Sequence, residues 1–243
     1  MNIVQPKVIL ENKCWKLVER RLERAGRVCY KSEDRITSDS AERFLKSIIK
    51  SGHESVLEQE NLQVKFIIDR GISHQLVRHR LASYLQESTR YCNYSKGKFN
   101  NEIQIIDILP ILEMTMLQEN IPDVYDSWIA GVERAEEYYF ELLADGAPPE
   151  LARNVLPTSL KTEIIVTANI REWRHILRLR THPHSHPQMR QVMIPLLVEL
   201  KDLSPTLFWD IDRHDDFGAY LQKSAILEKS DFGKSAKIGN FEN

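Results

Sequence analysis

The 243-residue sequence predicts an α+β fold, a single domain with a mixed, mainly antiparallel sheet and surrounding helices. Three observations carry that reading. Residues 62–68 and 160–168 alternate apolar and polar side chains, the mark of strands wet on one face, which suits antiparallel pairing better than a doubly wound parallel sheet. Segments between them are apolar every three or four residues, as in helices lying on a core. No repeat, low-complexity linker or composition break divides the chain. The economical division is one domain over residues 1–204 and a partly mobile C-terminal extension over 205–243.

In order, residues 3–10 read as a strand and Lys13–Arg27 as a helix with Trp15, Val18, Leu22 and Ala25 on one face. Asp39 and Glu42 form a capping pair ahead of a helix carrying Ala41, Phe44, Leu45, Ile48 and Ile49, which Gly52 stops. A polar connector from His53 to Glu58 leads to the first alternating strand. Gly71 opens a short helix. Residues 103–109 read as a strand closed by Pro110, and a long helix over Asp123–Ala144 ends at Gly146. Ala147–Glu150 starts a helical turn containing Arg153. The second alternating strand feeds directly into a helix over Ile170–Arg180, and another runs from Pro187 to Leu203 with a kink at Pro195. Beyond Pro205 the pattern weakens, and the polar tail from Glu228 to Asn243 reads as mobile.

A net charge of -2 weighs against a protein whose main work is neutralising a nucleic-acid backbone. Locally the balance differs. Residues 70–90 hold Arg70, Arg78, Arg80 and Arg90 against Glu87 alone, and residues 171–190 hold five arginines against Glu172, so a focused anion site is implied. Three cysteines without a CxxC pair suit a reducing compartment. With no signal-peptide core and no apolar run of membrane length, a soluble cytoplasmic protein without a membrane partner is expected.

The run Arg78–Tyr91 crowds arginines, His79, hydroxyls, Gln86 and Glu87 among few apolar anchors. Ordering so many polar groups calls for a ligand or water to offset their desolvation, and an anion is the natural candidate; the alternative is a solvated helix end. In the helix over residues 170–180, Ile170, Trp173, Ile176 and Leu177 share an apolar side, with Arg171, Arg174, His175 and Arg178 opposite. Arg180 breaks the sorting by projecting toward the apolar side, as does Asn169. It either snorkels outward at the helix end or aims a guanidinium fork into a cleft.

His182, His184 and His186 invite a metal reading, but Pro183 and Pro187 argue for a loop and no cysteine or carboxylate nearby completes a set, so a positioning loop is favoured and no metal is expected. Asp210, Asp212, Asp215 and Asp216 fit no calcium loop and read as a solvated acidic turn. There is no GxGxxG or P-loop. Ser88 could act as a nucleophile only with a base nearby, and His79 lies nine positions away.

Arg78-His79-Arg80, seven residues, then Ser88, extended through Ser83, Arg90 and Tyr91, resembles the signature of flavin-dependent thymidylate synthases. Further blocks agree in the same order: residues 27–30, 52–55 with Glu58, Gln75, 152–157, 169–171, 179–180 and 186–188. The resemblance implies that Ser55, Arg78, His79, Arg80, Asn169, Arg171 and His175 line an FAD site, with His53 and Glu58 near the flavin and Gln86 at the border of the two sites. It implies that Gln75, Arg78, Gln86, Glu87, Ser88, Thr89, Arg90, Arg153 and Arg180 hold dUMP, with Arg180 the catalytic group favouring the N3-deprotonated pyrimidine and Ser88 a phosphate and substrate ligand. The implied reaction is reductive methylation of dUMP to dTMP, with NADPH reducing FAD and 5,10-methylenetetrahydrofolate supplying the carbon. A homotetramer with shared active sites is also implied, in which the cationic stripe of residues 171–178 would face a neighbour's flavin. The chain departs from many relatives at Leu85, Gln86 and Arg190, the last standing where some carry an acid. Two other readings compete: a nucleotide- or RNA-binding module stacking bases on Tyr84, Tyr91 and Tyr94, and a zinc hydrolase on the loop histidines.

Overall fold

Alternating burial makes β3 (Asn61–Asp69) and β6 (Lys161–Asn169) the centre of the sheet. Leu62, Val64, Phe66 and Ile68 face the same core as Ile164, Val166 and Ala168, while Lys65 and Glu163 stay on the wetter face. The computed structural model describes residues 1–214 and 216–230. The expected mobility of residues 231–243, and Asp215 in the acidic turn, lie outside the described residues. The remaining elements are β1 (Asn2–Val4), β2 (Lys7–Glu11), α1 (Trp15–Tyr30), α2 (Ser40–Lys50), α3 (Arg70–Leu76), β4 (Ala82–Gln86) and β5 (Gln104–Ile106). After these come α4 (Leu109–Thr115), α5 (Ile121–Ala144), α6 (Pro149–Ala152), α7 (Ile170–Arg180), α8 (Pro187–Leu203), α9 (Pro205–Phe208), α10 (Phe217–Gln222) and β7 (Ile226–Ser230).

The main sheet runs β4-β6-β3-β2-β7, antiparallel except for the parallel β2–β7 pair, and β1 pairs with β5 in a small parallel sheet. The α+β, mainly antiparallel expectation therefore holds. One face is covered by α1, α2, α3, α7 and α8; Trp173 sits at its centre, fully buried, with its indole donating to Leu62 O at 2.9 Å. At Gly26 α1 and α2 come so close that a Cβ would stand 2.7 Å from the Phe44 ring. Gly52 ends the turn after α2 at φ +73°, a region other residues enter at a cost. A second core, including Tyr94, Ile105, Val132 and Tyr139, lies under α5 and the small sheet.

Several expectations change. Pro110 does not close a strand; it occupies the first turn of α4, where its missing N–H is harmless. Asp39 makes no side-chain cap; it accepts from Thr37 Oγ1 at 2.7 Å, while Ser40 donates to the buried Glu23 at 2.9 Å. Residues 82–86, within the Arg-rich run, form an edge strand paired to β6. Residues 226–230, including the start of the tail expected to be mobile, pair with β2.

The cationic stripe is also not what spacing implied. Arg174 is fully buried rather than solvent-facing, forked onto Asp210 at 2.8 Å by both terminal nitrogens and bonded to Leu207 O. Arg178 shares Asp210 at 2.9 Å. These side chains are spent inside the protomer, because the turn after α9 brings the carboxylate to them. Asp210 and Asp216 are thus counter-charges rather than a purely solvated acidic turn. Asp216 takes both terminal nitrogens of Arg190, 1% exposed, at 2.5 and 2.6 Å, and Tyr220 stacks on that guanidinium. Position 190 tolerates a buried cation because the extension supplies its carboxylate.

Candidate active site

Since β3 and β6 are antiparallel and each runs straight into a helix, α3 and α7 start from opposite ends of the sheet and meet near their C-termini. The strand-to-helix turns are built alike: Asp69 accepts from the Ile72 amide at 2.6 Å and Asn169 from the Glu172 amide at 2.9 Å. The helix ends expose carbonyls without intrahelical partners, which attract donors. Arg180 Nη2 donates to Gln75 O and its Nε donates to His79 Nε2, both at 2.9 Å. The Tyr84 hydroxyl donates toward Leu76 O at 3.0 Å and His79 O at 2.6 Å, bolting β4 to the same seam. Arg180 is half-buried and has no carboxylate partner among the described residues.

A guanidinium only donates, so His79 Nε2 must accept and its proton is assigned to Nδ1, facing Glu172 Oε1 at 3.6 Å. The electrostatics agree. Burial, then Arg180 and His175, lower the His79 pKa to about 4, so the ring is neutral. Burial and neighbouring Arg78 lower that of Arg180, burial raises that of the Glu172 carboxyl, and burial and Glu172 push the Tyr84 phenol to about 12. Among the described residues, His79, Glu172 and His175 place possible metal-ligand atoms within 4.8 Å of one another. His79 nevertheless offers no lone pair there: one nitrogen accepts from Arg180 and the other carries hydrogen.

The flavin-side residues divide: His79 lies in the seam, with Arg78 beside Arg180 and the His175 ring 5.9 Å from its own, and His53, Ser55, Glu58, Asn169 and Arg171 lie toward the start of α7. A cleft of about 440 Å³ is lined by Cys29, Tyr30, Gly52, His53, Ser55 and Arg171, with Tyr30 and His53 hydrogen-bonded at 3.2 Å. Glu58 accepts from Arg171 at 2.5 Å. Arg78, Arg80 and His175 are exposed.

The nucleotide-side residues divide. Gln75 meets Arg180 at the seam. Gln86 donates to Ser73 at 2.9 Å and Thr162 at 3.2 Å, and Glu87 accepts from Lys161 at 3.1 Å, both lining a cavity of about 580 Å³. There Lys161 and Lys65 outweigh the burial cost and hold the Glu163 carboxyl near a pKa of about 2. Thr89 accepts from Arg153 at 3.0 Å. Ser88 Oγ accepts from the Arg90 amide at 3.3 Å, and exposed Arg90 approaches Glu150 at 3.8 Å. His79 is committed to Arg180 and is not paired with Ser88 as a base. In the histidine loop, His182 stacks on His184 at 4.9 Å while His186 caps α8 by accepting from the Gln188 amide at 3.3 Å, so the three do not converge.

Sequence reasoning missed Glu172. Glu172 three residues after Asn169 has the spacing of a capping box, which conceals its place beside His79.

A family profile described as "Thymidylate synthase complementing protein" matches residues 13–206. A "Flavin-dependent thymidylate synthase" of Geobacter sulfurreducens is 34% identical over 193 residues, covering 76% of this chain and 78% of its own. One of Pyrococcus furiosus is 33% identical over 187 residues, covering 73% and 71%. Among solved structures, a UMP/dUMP methylase PolB from Streptomyces cacaoi bound with 5-Br dUMP matches with a TM-score of 0.72 over 90% of this chain and 99% of its own. Its 23% identity makes that a likeness of fold.

Proposed function

The chain belongs to the thymidylate synthase complementing protein family, and we propose that it reductively methylates dUMP to dTMP as a flavin-dependent thymidylate synthase, with FAD as cofactor and NADPH and 5,10-methylenetetrahydrofolate as co-substrates. The observation that carries this reading is Arg180: a half-buried guanidinium fixed by Gln75 O and a neutral imidazole, with no carboxylate partner among the described residues. Such a charge suits a ligand that becomes anionic. Beside the uracil ring of dUMP it favours the N3-deprotonated pyrimidine and the negative charge that develops there, with Gln75 alongside. Neutral His79 accepts from Nε, which fixes the plane of the fork and leaves Nη1 for the substrate. Glu172 faces the other imidazole nitrogen.

The residues fit a bound FAD. Ser55, His53 and Arg171 line one cleft, and Glu58 holds the Arg171 guanidinium in place. Asn169 caps α7, while Arg78, Arg80 and His175 offer exposed cationic or imidazole groups to the diphosphate and ring system. When bound, the flavin supplies the hydride drawn from NADPH, and the folate supplies the carbon. Gln86, Glu87, Ser88, Thr89, Arg90 and Arg153 hold the rest of dUMP in this reading.

The reading includes a homotetramer with shared active sites, and exposed apolar side chains beside the basic run support it. Leu81 and Leu85, each 74% exposed, and Tyr91, 80% exposed, lie along the same basic run and would be covered by a neighbour. The reading includes neither nucleic acid nor a membrane as partner and places the enzyme in the cytoplasm; among the described residues no helix is long and apolar enough to cross a membrane.

Purified protein is expected to bind FAD, turn yellow, and bleach with NADPH. Protein that stays colourless in excess FAD contradicts the reading.

A further inference from the structure

The family profile stops at residue 206, but the described chain continues to residue 230 and is bonded back onto α7 and α8. Leu207 O and Asp210 take Arg174, Lys223 O accepts from Gln191 at 2.9 Å, and Asp216 takes Arg190. The last of these contacts ends beside the seam. Residues 189–197 of α8 are all buried, and the Arg190 side chain is only 2% exposed. Its donors must therefore find partners inside the protein.

They do so on two sides. Nε donates to Thr181 O at 2.9 Å while Nη1 and Nη2 fork onto Asp216, and Tyr220 covers the guanidinium, whose carbon lies 4.2 Å from the ring centroid. Thr181 follows Arg180 and is itself fully buried, its amide and hydroxyl donating to Leu177 O at 3.0 and 2.8 Å. The exit of α7 is thus pinned from within by Leu177 and from α8 by Arg190. The extension also meets the residue after Thr181, since the His214 and His182 rings stand edge to face with centroids 5.3 Å apart. A guanidinium is planar, so holding both terminal nitrogens on one carboxylate fixes the direction in which Nε points. Without that carboxylate the cation is left buried and unpaired, which favours its withdrawal from Thr181 O toward water.

We propose that Arg190 is a positioning residue for Arg180: held by Asp216 and Tyr220 of the extension, it fixes the last turn of α7 through Thr181 O and so sets where the Arg180 guanidinium meets the pyrimidine. The inference rests on the role given to Arg180 above. It makes the extension part of the working site rather than a clamp on the fold alone. It also belongs to arginine, since an ionised carboxylate at position 190 has no hydrogen to donate to Thr181 O.

The test uses full-length, FAD-loaded protein, wild type, Asp216→Asn, Asp216→Glu and Arg190→Met, and reads kcat, the KM for dUMP, FAD affinity, the urea midpoint and the His79 titration by NMR. Asp216 is exposed, so its variants are expected to fold, and they decide the matter if Arg190→Met does not. Asp216→Asn is expected to lower kcat about tenfold while the KM for dUMP and FAD affinity stay within about twofold, since a slightly displaced catalytic group loses rate before it loses binding. As Arg180 loosens from His79, the imidazole midpoint is expected to rise from about 4 toward 6.5. Asp216→Glu is expected to recover most of both. A lower urea midpoint with kcat and the His79 midpoint unchanged overturns the proposal and leaves a structural ion pair; a loss confined to FAD affinity overturns it too. If the wild type makes no dTMP, the dUMP reading fails, while the His79 midpoint in Asp216→Asn still decides whether the extension holds Arg180.

Discussion

A histidine nitrogen that accepts a hydrogen bond from a guanidinium cannot hold a proton as well, and this ties the charge state of His79 to Arg180. Arg180→Met removes the acceptor's neighbouring charge and one of the causes that depress the imidazole, so the His79 pKa is expected to rise from about 4 toward its ordinary 6.5. Titration of the His79 ring protons by NMR checks this; an unmoved midpoint contradicts the contact. Turnover in the same variant is expected to fall about a hundredfold or more, since a fixed cation beside developing charge is of that worth, while stability changes by roughly 1–3 kcal/mol. The sign of the pH dependence follows. His79 titrates near 4 when folded and near 6.5 when unfolded, so the unfolded chain takes up the proton first as pH falls. The stability gained by keeping the ring neutral is present above 6.5 and lost as pH drops toward 4. Urea midpoints across that window are expected to decline, and a flat profile in wild type with the same profile in His79→Gln would contradict it.

Helix α7 carries the candidate active site on one side and is anchored on the other by the extension. Asp210→Asn leaves Arg174 buried with only Glu54 at 3.1 Å as counter-charge, and is expected to cost about 3 kcal/mol or more. Arg134→Ala, which breaks an exposed pair with Glu137, is expected to cost under about 1 kcal/mol. Urea unfolding at constant slope compares the two; equal small losses would mean that the Asp210 anchor is dispensable. Helix α7, helix α8 and strands β3 and β6 were legible because apolar period and end signals agreed over nine or more residues each. The edge strand at 82–86 was not, since its side chains pair only through β6 and the run around it is dominated by polar groups with other work. Nor could spacing reveal the burial of Arg174, whose partner Asp210 lies 36 residues later. The same holds for the site: Arg180 stood out as a misfit on the apolar side of α7, whereas Glu172 looked like an ordinary charge until the fold showed what surrounds it.

At the scale of the whole molecule, α7 joins the cleft at His53 and Ser55, through Arg171, to the seam at His79 and Arg180, through His175, and exposed leucines flank the arginines of the seam. Light scattering on purified protein is expected to give four copies of the chain. Leu85→Glu, on an exposed edge strand, is expected to shift this toward smaller species and to lose activity in parallel; a fully active monomer would contradict shared sites. The most direct measurement is dTMP formation from dUMP by FAD-loaded protein given NADPH and 5,10-methylenetetrahydrofolate, run beside Arg180→Met. The account predicts that the wild type makes dTMP only when all components are present and that the variant, still yellow, is at least about a hundredfold slower. A flavin-loaded wild type that makes no dTMP, or a variant that makes it at the wild-type rate, would contradict it.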